Sequence, residues 1–154
     1  AFIEAVVEII GLEMLALGPG RREQLLPQPH MRVHRAADLE NRYAERIATA
    51  GDDSASRATA LVEALNADGF AASARPVGAA DGPLTGVQLC QGHCPVQHVA
   101  AEFPQFCEAE TEAFSRLLGV HVQRLATLAH GDHVCTTFVP TPTTSTPTSE
   151  RASS

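Results

Sequence analysis

The sequence has no Trp and no Lys, and it has only one Tyr. Aromatics come to 5%, so a core has to be assembled mainly from Leu, Val and Ala. Such a core is thin for 154 residues, and a partner subunit or a bound cofactor would thicken it. Every basic residue is Arg, and acids outnumber bases to give a formal net charge of -7. That balance argues against nucleic-acid binding by the chain as a whole, because phosphate neutralisation needs clustered Lys or Arg. Long uncharged apolar runs are missing too. The most apolar stretch, 1–17, carries Glu4, Glu8 and Glu13, each costly at membrane depth. It also lacks the basic start and small-residue cleavage site of a secretory signal. The expected compartment is the cytoplasm, where thiols stay reduced. Four cysteines there read as metal ligands or inert core, not as disulfides.

What remains is an ordinary globular composition, 44% hydrophobic and 19% charged. The pattern predicts an α+β domain of two helices, two strands, two helices and two strands, with a small antiparallel sheet packed by the helices. An N-terminal helix over 1–17 and an irregular linker, together residues 1–34, precede it. The domain itself spans 35–140, and a disordered Thr/Ser/Pro tail fills 141–154. Ala36, Leu39, Tyr43 and Ile47 recur at helical spacing. That stripe suits a dimer seam or ordinary core equally well. Asp53 or Ser54 caps the second helix, and Gly69 stops it. Pro76 puts the first strand at a sheet edge. A short helix is expected from Pro95 to Glu102 and a longer one from Glu108 to Leu118. An antiparallel pair over 120–129 and 134–139 closes the pattern.

The cysteines carry the chemistry. Twelve residues separate Cys94 from Cys107, and twenty-seven separate Cys107 from Cys135. Cys94 precedes Pro95 and Cys107 precedes Glu108, so both are expected as helix N-caps. There the helix dipole and unpaired N–H groups would lower the thiol pKa and favour metal ligation. Cys135 opens a strand after a turn and supplies a third sulfur. Cys90 follows Val87 and Leu89 on an apolar strand and reads as a small buried hydrophobe at least as well as a ligand. All four would make a legal zinc site, although zinc usually takes tighter knuckles. Cubane clusters accept dispersed thiolates, often with one Cys before a Pro.

Three segments then matter together: 88–96, with Cys94-Pro95; 99–114, with Phe103-Pro104-Gln105-Phe106-Cys107-Glu108; and 130–137, with His130-Gly131-Asp132-His133-Val134-Cys135. They resemble the C-terminal domain of SufR, the repressor family of bacterial iron–sulfur-cluster-assembly operons. The resemblance covers residues 35–140. It implies a homodimer that binds a [4Fe–4S] cluster through Cys94, Cys107 and Cys135, represses cluster-assembly genes when loaded, and releases them when the cluster is lost. The fourth ligand is open. Some relatives of this type carry another Cys between the second and third positions, where this chain has His121. His121 and Cys90 are the two protein candidates, and an exogenous ligand or water is a third. His93, His98, His130 and His133 are candidate neighbours of the cluster, with solvated loop residues as the ordinary alternative.

The chain departs from that family in one respect: a winged helix-turn-helix should precede this domain, and residues 1–30 do not read as one. The first residue is not Met. Either the chain starts inside a longer gene, or the gene is truncated or frame-shifted, with Met31 as an internal start. DNA contact is therefore expected only through that missing module. Elsewhere, Arg35, Arg42 and Arg46 with Asp38, Glu40 and Glu45 read as a solvated helix face with weak i,i+4 pairs. Cys94 beside His93 lacks the third group that a nucleophile pair needs, so no enzyme activity is expected. The competing expectations are a zinc-stabilised structural or ligand-binding module and a thiol redox sensor.

Overall fold

The computed structural model describes residues 29–79, 82 and 84–141 of the chain. The expected N-terminal helix over 1–17 and all of the tail beyond 141 lie outside these residues. Helix α1 spans Pro29–Ala48 and α2 spans Ser54–Ala67. Strands β1 (Ala72–Val77) and β2 (Gly86–Gln91) follow. Helices α3 (Gln97–Glu102) and α4 (Gln105–Leu118) come next, then β3 (Gln123–Ala126), a 3-10 turn at Leu128–His130, and β4 (Cys135–Pro140). The α+β order read from the sequence is the observed one.

Helix α1 starts earlier than expected. The pattern predicts irregular chain up to residue 34, yet it is helical from Pro29. Proline suits a first helical position, where no N–H is required and its fixed φ fits. The stripe Ala36, Leu39, Tyr43 and Ile47 is only 1–2% exposed within the single chain. It is core, so the dimer-seam alternative for this stripe is set aside. Helix α1 packs chiefly on α4, and ion pairs bind their flanks: Arg32 with Glu108 and with Glu112, and Arg116 with Glu40. These pairs show the two helices running in the same direction.

Asp53 caps α2 by accepting the Ser56 N–H at 2.8 Å. At its other end Gly69 takes a positive φ of 85°, the left-handed turn that ends helices. Asp68 there accepts from the Tyr43 hydroxyl at 2.6 Å and from Arg42 at 3.0 Å, which ties α2 to α1. Leu39, Leu61, Leu65, Phe114 and Leu118 meet between the helices at 1% exposure or less. Each such side chain is worth about 1.5–3 kcal/mol of burial.

The sheet order is β1-β2-β4-β3, antiparallel throughout. Pro76 lies in the edge strand β1, as expected. Directly opposed residues share a face, and neighbours along a strand do not. Leu89 opposes Thr137, and Gln91 opposes Cys135. Leu89, Gln91, Cys135, Thr137 and Val139 are all buried and form the face under the helices. Arg124 of β3 opposes Thr137 and joins that face. A register shift follows at Leu125, which stands 62% exposed. The expected strand over 120–129 is therefore only Gln123–Ala126, because this bulge and the 3-10 turn cut the pairing short.

Candidate functional site

Cys94, Cys107 and Cys135 arrive from three different elements. Cys94 was expected to cap a helix beginning at Pro95. It sits instead in the turn before α3, whose N-cap is Val96 and whose first residue is Gln97. Its carbonyl accepts the Gln97 N–H at 3.1 Å, closing that turn. Cys107 was expected to cap a helix beginning at Glu108. Helix α4 begins at Gln105, immediately after Pro104, so Cys107 is its third residue. Proline at the N-cap lets the helix start as soon as its fixed φ allows. Cys135 is the first residue of β4, and its sulfur accepts the Leu128 backbone N–H at 3.2 Å.

The loops that carry these thiols are linked. Gln97 of α3 donates to the Leu128 carbonyl at 3.3 Å, and Leu128 in turn holds Cys135. The thiols also sense each other: negative charge on Cys107 or Cys135 raises the proton affinity of Cys94, and charge on Cys135 raises that of Cys107. The expectation of lowered thiol pKa values is overturned. Burial, reinforced by the Glu110 carboxylate, pushes Cys94 up to about 12, although the Val96 N–H pulls the other way. Burial and Glu110 push Cys107 up too, against Arg124 and Arg35, which favour its thiolate. Desolvation of the charged form outweighs the helix end in both cases.

Cys90 does not join them. It opposes Thr136 and Ser73 in the sheet, so it points to the face away from Cys135 and Gln91. A site built from all four cysteines is not what this register assembles. His121 is exposed just before β3. Its neighbour Val122 donates its N–H to Ser115 Oγ, eight residues beyond Cys107 on α4, and eight residues of helix span about 12 Å. His121 and Cys107 line the same cavity of about 590 Å³ between α4 and β3, toward opposite ends. His93, His98 and His133 are exposed. His130 shares a 2.8 Å hydrogen bond with Thr127 Oγ1.

Beneath the thiols lies a charged cluster whose function the sequence reading missed. Glu110 Oε1 accepts from Arg124 at 2.8 Å and from Gln91 at 3.2 Å. Arg124 also donates to Gln91 Oε1 at 3.2 Å and to Thr111 Oγ1 at 3.3 Å, and its guanidinium stands over the Phe114 ring. Arg35 of α1 reaches the other oxygen of Glu110 at 3.9 Å. Glu110, Arg35 and Arg124 are only 8%, 9% and 11% exposed at their side chains. The sequence pattern puts Arg35 on a solvated face, but packing of α1 on α4 buries it. The missed signal was one of phase. Glu110 falls on the same α4 stripe as Ala113 and Phe114, which is where a charge is buried or the helix is not amphipathic.

Among the described residues, no group of three or more His, Cys, Asp or Glu converges closely enough to hold a single metal ion. A cubane cluster asks for something different. Its thiolates bind separate corners, so the sulfurs surround it and need not meet. Cys94, Cys107 and Cys135, half-buried to buried thiols from a turn, a helix start and a strand start, are of the donor type such a cluster takes, and one of them already accepts an N–H. No family model, no curated relative and no solved structure matches this chain. No helix among the described residues is long and apolar enough to cross a membrane.

Proposed function

We propose that this chain is the iron–sulfur-sensing domain of a SufR-type bacterial transcription regulator, with Cys94, Cys107 and Cys135 as cluster ligands. On this reading it is a cytoplasmic homodimer and not an enzyme. It contacts DNA only through a winged helix-turn-helix, which the described residues do not contain. The observation that supports the reading is that Cys94, Cys107 and Cys135, far apart in sequence, lie near enough for charge on one to act on another and that Gln97 and Leu128 link their loops, while the sheet register turns Cys90 away from Cys135. When bound, a [4Fe–4S] cluster supplies a crosslink that depends on iron supply and oxidation state. The chain's own residues give that crosslink leverage: the Cys94 turn, α4 and β4 would be tied together, and α4 is packed along α1. A cofactor that favours one packing biases whatever α1 is attached to.

Anaerobic loading of the chain with iron and sulfide tests this, followed by absorption spectroscopy and metal analysis. A brown protein with a broad visible band and matching iron and sulfide is the expected result. A colourless protein holding one zinc, or a metal-free protein whose thiols pair reversibly on oxidation, would replace the sensing account.

A further inference from the structure

The buried cluster under the thiols is not neutral. Arg35 and Arg124 are two cations and Glu110 is one carboxylate, all close to nine-tenths buried. Gln91, 1% exposed, adds only a neutral amide. A surplus buried cation is costly unless an anion compensates it. Arg124 is well supplied with partners: Glu110, Gln91 and Thr111. Arg35 is not. Among the described residues its one ion-pair contact, at 3.9 Å, is long, and its Nε–H is buried with no hydrogen-bond partner.

The missing anion has a candidate nearby, since Arg124 and Arg35 lie near enough to Cys107 to favour its thiolate. Three thiolates more than offset the charge of an oxidised four-iron core, so a cluster held by Cys94, Cys107 and Cys135 is an anion. Hydrogen bonds to its sulfurs and nearby charge set its potential. We infer that Arg35 and Arg124 are the counter-cations of that cluster, and that Arg35, through its unpartnered Nε–H, couples cluster occupancy to helix α1. This rests on the cluster reading and adds what senses the cluster and through which helix. Arg35 is a positioning residue here, acting on the cofactor's charge and not ligating it.

The test uses the full chain, loaded anaerobically with iron and sulfide, as wild type, Arg35→Gln and Arg35→Lys. The midpoint potential is read by spectroelectrochemistry. Loss of a counter-cation disfavours the reduced, more negative cluster. Arg35→Gln should therefore shift the reduction equilibrium about tenfold toward the oxidised form, which is about 59 mV for one electron. Arg35→Lys, which keeps the charge, should recover most of that shift. Equal potentials in wild type and Arg35→Gln overturn the inference while leaving the cluster reading intact. Should Arg35→Gln fail to fold, hydrogen exchange on wild type alone decides. Amides around Arg35 should exchange at least tenfold more slowly in the loaded than in the cluster-free protein, and unchanged exchange overturns the coupling. A wild type that takes up no iron and sulfide overturns both this inference and the reading beneath it.

Discussion

Gln91, and not Cys90, stands opposite Cys135 in the sheet. One residue of register thus turns Cys90 to the face away from Cys135. Cys90→Ala should retain nearly all cluster binding, whereas Cys94→Ala, Cys107→Ala and Cys135→Ala should each abolish stable binding. Iron and sulfide content per chain after anaerobic loading checks this. Equal loss in all four variants would contradict the register argument.

Glu110 lies between two buried guanidiniums, so its removal leaves like charges facing each other out of water. Glu110→Gln should destabilise the metal-free fold by about 3–5 kcal/mol, the usual cost of breaking a buried pair from one side. Glu112→Gln, which breaks an exposed pair with Arg32, should cost about 1 kcal/mol or less. Urea unfolding of both variants beside wild type measures the difference. Similar midpoints would mean the buried pair is solvated in solution.

The Tyr43–Asp68–Arg42 junction predicts stability changes at both ends of the pH scale. Burial raises the Asp68 pKa, but the Tyr43 and Arg42 hydrogen bonds outweigh it and hold the carboxyl below its ordinary 3.8. Its contribution is present above that pH and lost as pH falls through the native value. Burial and the hydrogen bond to Asp68 raise the Tyr43 phenol above its ordinary 10.0. Its contribution is complete below pH 10.0 and is lost as pH rises toward the native value. Asp68→Asn should remove the acid limb relative to wild type, and Tyr43→Phe the alkaline one. Denaturant midpoints across pH read both.

The α+β order, the edge strand with Pro76, the Asp53 cap and the stop at Gly69 were legible because local chemistry dictates them. Helix starts were less so. Pro29 is the first residue of α1 and Pro104 the N-cap of α4, so both helices begin earlier than the pattern predicts, and Cys107 lies inside a helix and not at its cap. The three thiols stand out in the sequence through the Pro and acidic residues beside them. Their support was not, because Arg35, Gln91, Glu110 and Arg124 come from four elements that only tertiary packing brings together. The raised thiol pKa values were invisible for the same reason: burial is not written in the dipeptides around a cysteine.

Gly86 makes a steric prediction on the sheet. A Cβ there would lie 2.5 Å from the Val139 carbonyl oxygen and 2.5 Å from the Phe138 ring. The backbone oxygen belongs to the paired strand and has little room to move. Gly86→Ala should cost about 1–3 kcal/mol, typical of overpacking. Gly92→Ala, whose nearest atom is 3.5 Å away, should be close to neutral. Thermal unfolding of the two variants separates them, and equal melting temperatures would show that β2 and β4 slide apart easily.

Cys94 differs from its two fellows in what anchors it. Cys135 begins a strand paired on both sides, and Cys107 rides a fourteen-residue helix with a buried stripe. Cys94 hangs on a turn leading into α3, six residues long with Ala100 its only buried member. So short a helix scarcely holds together by itself, and segments with few apolar contacts open first. On the proposed reading, a cluster leaving this protein would therefore come free first at Cys94, while Cys107 and Cys135 stay fixed by their elements.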